Sequence, residues 1–118
     1  MSYTIFELYT LKSRIDELFR HKDEICSKAK ISERDFLKAV REMELFVNII
    51  EDEKVSSFAE EGKTLAPHEE DAPLFAMALY FGCPVWSNET AFKKQSGVKV
   101  FSTKDIFELL GFLGRNEP

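Results

Sequence analysis

The sequence predicts an α/β domain: a short parallel sheet flanked by helices, in a single unit over residues 1–118. Three observations predict it. Short apolar runs suited to buried strands alternate with segments of helical period. The pattern Ser-x-x-Asp, a capping box, stands ahead of apolar helical runs at Ser13, Ser32 and Ser102. Strands that alternate with helices join through right-handed crossovers, and that makes them parallel.

The most informative stretch is Asp71 to Glu89, DAPLFAMALYFGCPVWSNE. Asp is a good N-cap, Pro73 is tolerated in a first helical turn, and Gly82 suits the left-handed position past a helix end. Leu74 to Phe81 is apolar all round, as in a helix buried on most of its surface. Cys83-Pro84-Val85-Trp86 then reads as a short buried strand, followed by the polar tip Ser87-Asn88-Glu89. Ligands gather at the carboxyl ends of strands in open α/β sheets. Glu89 stands at such an end, and Asp71 at the start of the preceding helix lies on the same side. Two carboxylates distant in sequence then meet at one edge, the basis of a divalent-metal site.

Taken in order, residues 3–10 read as a strand from their β-branched and aromatic content, although Leu8, Leu11, Ile15, Leu18 and Phe19 also keep helical spacing. Ser13 and Asp16 form the first capping box, so a helix is expected over about 14–29, its apolar face interrupted near His21 and Lys22. Ser32 and Asp35 cap a helix running to about Leu45, with Phe36, Leu37, Val40 and Met43 inward. Residues 46–50 form a strand, and Glu51-Asp52-Glu53 supply the acids favoured at the start of a further helix, which Gly62 ends. After the Asp71–Glu89 unit, residues 90–95 suggest a brief helix, 98–101 a strand, and Ser102 with Asp105 the cap of a last helix. That helix is held by Ile106, Phe107, Leu109, Leu110 and Leu113.

The totals exclude several classes. A length of 118 residues with 44% hydrophobic content and 11 Phe supports a core. A net charge of −5 argues against a generally basic nucleic-acid surface. No apolar stretch approaches the roughly 18 residues of a membrane span, and the first residues lack the features of a signal peptide. With only Cys26 and Cys83, far apart, reduced thiols and a cytoplasmic location are expected. There is no Gly-rich phosphate loop, no nucleophile elbow, and neither His21 nor His68 stands in a zinc-type spacing.

Asp71-Ala72-Pro73 with its small-residue helix and the following CPVWSNE resembles the C-terminal half of PIN domains, metal-dependent ribonuclease domains common as prokaryotic toxins. ELFRHKDEI at 17–25 with KISERDF at 30–36 looks like their middle section, and VKVFSTKDIFELL at 98–110 like their last strand and helix. The resemblance implies a three-layer fold and Mg²⁺ or Mn²⁺ held by Glu17, Asp71 and Glu89, with Ser87 and Asn88 orienting the last acid or a metal-bound water. It implies RNA as substrate, and an antitoxin as one partner. Hard oxygen ligands and a metal that stabilises charge on the phosphate suit that chemistry.

Two departures stand out. The family's first acid ends a first strand, and that strand with its helix, roughly 20–30 residues by ordinary element lengths, is not matched here. The expectation is therefore an N-terminally truncated PIN-like domain, whose open strand edges call for a homodimer or a second protein completing the sheet. Glu89 replaces the usual Asp, displacing a ligand oxygen by about 1.5 Å on bond-length grounds. The alternative is a non-catalytic PIN-like binding or dimerisation module. Each acid also has a plainer role: Asp71 as an N-cap, Glu17 in a solvated ion pair, Glu89 as the start of a short helix. Lys12, Arg14, Arg20, Lys22, Lys93, Lys94 and Lys99 are candidate RNA contacts or a solvated charged face.

Overall fold

The computed structural model describes residues 7–111. They fall into two compact units, one ending at Lys54 and the other beginning at Val55. Each unit is built on one pair of parallel strands, so the expected parallel pairing is present as two separate two-stranded sheets.

In the first unit, strand β1 (Leu8–Leu11) runs straight into helix α1 (Lys12–Arg20). The sequence suggests one helix over 14–29, but it divides: α2 (Lys22–Ala29) begins after His21, whose φ of −103° and ψ of 17° leave the helical range. This is where the apolar face is interrupted. Helix α3 (Glu33–Phe46) follows, with the expected capping box complete: Ser32 Oγ accepts from the Asp35 N–H, and the Asp35 side chain accepts from the Ser32 N–H. Strand β2 (Val47–Ile50) then pairs with β1, Leu8 opposite Val47 and Leu11 opposite Ile50. Leu11, Ile15, Phe36 and Val40 are buried, and Phe19 meets Phe36 edge to face at 5.6 Å. Residues 3–6 of the expected first strand lie outside the described residues.

The acids at 51–53 introduce a 3-10 helix, Asp52–Phe58, that leads into helix α4 (Ala59–Leu65) of the second unit. Gly62 does not end this helix, contrary to the expectation from sequence. It is buried inside α4, where a Cβ would stand 2.5 Å from the Ala72 carbonyl oxygen and 3.0 Å from the Ala76 nitrogen. A missing side chain there lets two helices touch backbone to backbone. Helix α5 (Ala72–Phe81) has Pro73 in its first turn, and Gly82 closes it in the left-handed conformation at φ 64°. Strand β3 (Val85–Trp86) and strand β4 (Val100–Phe101) pair in parallel, and helix α6 (Thr103–Leu109) carries the last capping box, Ser102 with Asp105. Leu113 lies outside the described residues.

The core of this unit is Phe75, Ala78, Val85, Phe92, Val98 and Val100, with Leu65, Leu74 and Leu79 packed against it. Gln95 organises the turn before β4. Its side-chain nitrogen donates to the carbonyls of Phe92 and Val98, and its oxygen accepts the Val98 N–H at 2.8 Å. Among the described residues no helix is long and apolar enough to cross a membrane.

Candidate functional site

Parallel pairing sets the polar groups at the carboxyl ends of the strands. In the first unit Leu11 is opposite Ile50. Two residues beyond each, the Asp52 carboxylate accepts from both the backbone N–H and the hydroxyl of Ser13, at 3.1 and 2.6 Å. Asp52 thus closes the start of α1, and Ser13, expected to be the cap, lies inside the first turn as a donor. In the second unit Trp86 is opposite Phe101. Two residues beyond each, the Asn88 side-chain oxygen accepts from the Thr103 N–H at 2.8 Å, at the start of α6. The same arrangement occurs twice: a side-chain oxygen just past one strand closes the helix that follows the neighbouring strand. Sequence reasoning misses it because register, not spacing, creates it.

Asp71 ends a 3-10 turn, Glu69–Asp71, and occupies the N-cap position of α5. Its backbone is already helical (φ −92°, ψ −5°) and its side chain makes no capping hydrogen bond, so the plain N-cap reading does not describe it. It is half-buried. Glu89 is exposed and precedes the 3-10 helix Thr90–Lys94. Ser87 Oγ accepts the Glu89 N–H at 3.1 Å, and the Ser87 N–H donates to the Phe101 carbonyl, so Ser87 fixes the backbone that presents Glu89. The rings of Phe75 and Phe92 lie 5.2 Å apart. Phe75 is one turn beyond Asp71, and Phe92, whose N–H donates to the Glu89 carbonyl, is one turn beyond Glu89. That contact ties together the two segments bearing these acids. Glu17 lies in the first unit, on α1, half-buried and 3.9 Å from Arg20.

Carboxylates are suitable hard donors for Mg²⁺ or Mn²⁺. The described residues nevertheless hold no group of three or more His, Cys, Asp or Glu placed to share an ion. Most of the candidate RNA-contacting cations are engaged with acids. Lys12 pairs with Asp16, Arg20 with Glu17, Lys22 with Glu33 and Lys93 with Asp105, while Lys99 Nζ lies 5.8 Å from the Phe101 ring. Both cysteines are free, and burial pushes the Cys83 thiol up, away from a reactive thiolate.

Asp105 is the most perturbed acid. The Lys93 ammonium at 2.6 Å, helped by the Ser102 N–H at 2.9 Å, holds its carboxyl down at about 2. A folded-state pKa below the unfolded value stabilises above that unfolded value, near 3.8, and the contribution is lost as pH falls through about 2. Acid titration followed by circular dichroism should show Asp105→Asn less stable than the parent at pH 6, with the difference closing between about pH 4 and pH 2. A gap of constant size across that window would contradict this assignment.

Comparison with known proteins agrees with the residue pattern. No curated protein matches this chain, and no solved structure does. The model of the PIN domain family, whose members are generally nucleases that use divalent metal ions, matches residues 2–110, and the chain belongs to that family.

Proposed function

We propose that this chain is a metal-dependent ribonuclease module that hydrolyses RNA phosphodiesters with Mg²⁺ or Mn²⁺ at Glu17, Asp71 and Glu89. The family match over residues 2–110 carries this reading. The Phe75–Phe92 contact and the Ser87 hydrogen bond, which order the segments around Asp71 and Glu89, support it. Bound at these carboxylates, the ion would offset charge on the phosphate and acidify a water. This chain's own contribution is to hold Asp71 and Glu89 on fixed backbone. A homodimer or second protein completing the sheet is part of the proposal, since among the described residues each sheet has two strands and unpaired edges favour strand addition. An antitoxin is one such partner, and a cytoplasmic location is consistent with both.

A second reading, a PIN-like module kept for binding or dimerisation, is favoured by one observation. Polar groups of the candidate residues already serve local structure: Asn88 closes α6, Ser87 holds the Glu89 backbone, and Glu17, on α1, pairs with Arg20. Cleavage of end-labelled RNA with Mn²⁺ separates the two. Activity that falls by about a hundredfold or more in Asp71→Asn, the scale expected for removing a group that stabilises transition-state charge, supports the nuclease. No cleavage by the parent, with no Mn²⁺ binding by calorimetry, supports the second reading.

A further inference from the structure

We infer that the solvent face of α3 is a docking surface for the phosphate backbone of single-stranded RNA, formed by Arg34, Lys38 and Arg41, with Phe46 as a stacking platform at its end. The inference rests on the ribonuclease reading for its choice of polyanion.

Helical spacing puts the three cations on one stripe. Arg34, Lys38 and Arg41 stand at i, i+4 and i+7, and Leu45 continues the line at i+11. Phe36 and Val40, the buried residues of α3, lie on the opposite face. All three cations are exposed, and the stripe extends about 10 Å along the axis at about 1.5 Å per residue.

Four basic residues of the first unit, Lys12, Arg20, Lys22 and Lys28, are paired with acids. Among the described residues Arg34, Lys38 and Arg41 form no ion pair, although Glu42 is four positions from Lys38 and Glu44 three from Arg41. Like charges at this spacing cost helix stability, and they do so here in a chain of net charge −5. A polyanion laid along the stripe would offset that repulsion.

The end of the helix adds a second feature of single-strand recognition. Leu45 and Phe46 are 77% and 76% exposed, the most exposed large apolar side chains among the described residues. An exposed aromatic ring at the end of a helix that carries a basic track suits an unpaired base, which stacks on it whatever its identity. Duplex RNA offers no such face, so the surface favours a single strand.

The test uses fluorescence anisotropy of a labelled single-stranded RNA with the full chain in EDTA, so that neither metal nor cleavage enters. Substituting Arg34→Gln, Lys38→Gln and Arg41→Gln together should weaken binding about tenfold or more and flatten the plot of log affinity against log salt by about 2, near 0.7 for each phosphate that is no longer neutralised. Phe46→Ala should weaken binding about tenfold, the scale of one base–aromatic stack. A control pair, Lys28→Gln with Lys63→Gln, removes charge from cations already paired with Glu24 and Glu60 and should leave the salt slope unchanged. Unchanged binding in the triple variant, or an equal loss in the control, overturns the proposal. So does equally tight binding of polyglutamate or of phosphatidylserine vesicles, which would make the stripe a general anion face. Because binding is read in EDTA, it does not depend on the metal carboxylates or on cleavage. Failure of the cleavage reading therefore leaves this result intact, and failure here leaves cleavage intact.

Discussion

Phe75→Ala should lower the unfolding free energy by about 3–5 kcal/mol, the cost of emptying a buried aromatic site. Phe75 is fully buried, its ring tilted 59° against that of Phe92, with Ala78, Val85, Val98 and Val100 in the same cluster. Truncation removes the transfer free energy of the ring and leaves a cavity walled by two strands and a helix, elements that cannot all close in together. Against a typical total of about 5–15 kcal/mol, the second unit would then be marginal. Trp86, the single tryptophan, lies on β3 in the same unit and reports its unfolding in urea by fluorescence. Phe75→Leu keeps apolar volume and should lose less. A loss below about 1 kcal/mol for the alanine variant would place the centre of this core elsewhere.

Gly62→Ala should cost about 1–3 kcal/mol, the usual range for overpacking, and on the proposed ribonuclease reading should also damage catalysis. Exchanging Gly for Ala inside a helix ordinarily stabilises by up to about 1 kcal/mol. Here the new methyl would stand 2.5 Å from a backbone oxygen of α5, and a backbone atom cannot swing aside as a side chain does. The helices must separate instead. The atom struck belongs to Ala72, next to Asp71, so the displacement acts directly on the candidate acid. Catalytic groups tolerate errors of only about 0.5 Å. At a temperature where parent and variant are both folded, Mn²⁺-dependent RNA cleavage should therefore fall at least tenfold, roughly the effect of misplacing a supporting group. Equal thermal midpoints for the two proteins would show that α4 yields without cost.

What can be read from the sequence is what four or five consecutive residues decide. The boxes at Ser32 and Ser102 close on themselves within one turn, and the Gly82 terminator needs only its own φ. The pattern at Ser13 looks the same and misleads. An extended Leu11 delivers the chain into α1 at Lys12, and the cap comes from Asp52, a residue distant in sequence. Gly62 misleads for a related reason, since a glycine that ends a helix and one that admits a neighbouring helix are the same letter. The candidate acids come from family resemblance; the Phe75–Phe92 contact joins the segments of Asp71 and Glu89, while Glu17 lies in the other unit. Charge pairing is not legible. Lys12, Lys22 and Lys93 read as available cations, yet each has an acid, while nothing in the residue pattern marks the α3 stripe as the unpaired one.

The Gln95 turn also makes the second sheet one-sided for assembly. Lys99 and Phe101 aim their carbonyls at β3, so Val98, Val100 and Ser102 face outward from β4. Gln95 occupies both backbone groups of Val98, and Asp105 takes the Ser102 N–H. An arriving chain would find a single residue to zip against there, too few to template growth. A strand recruited to this second sheet must therefore join along the far flank of β3, beside Trp86.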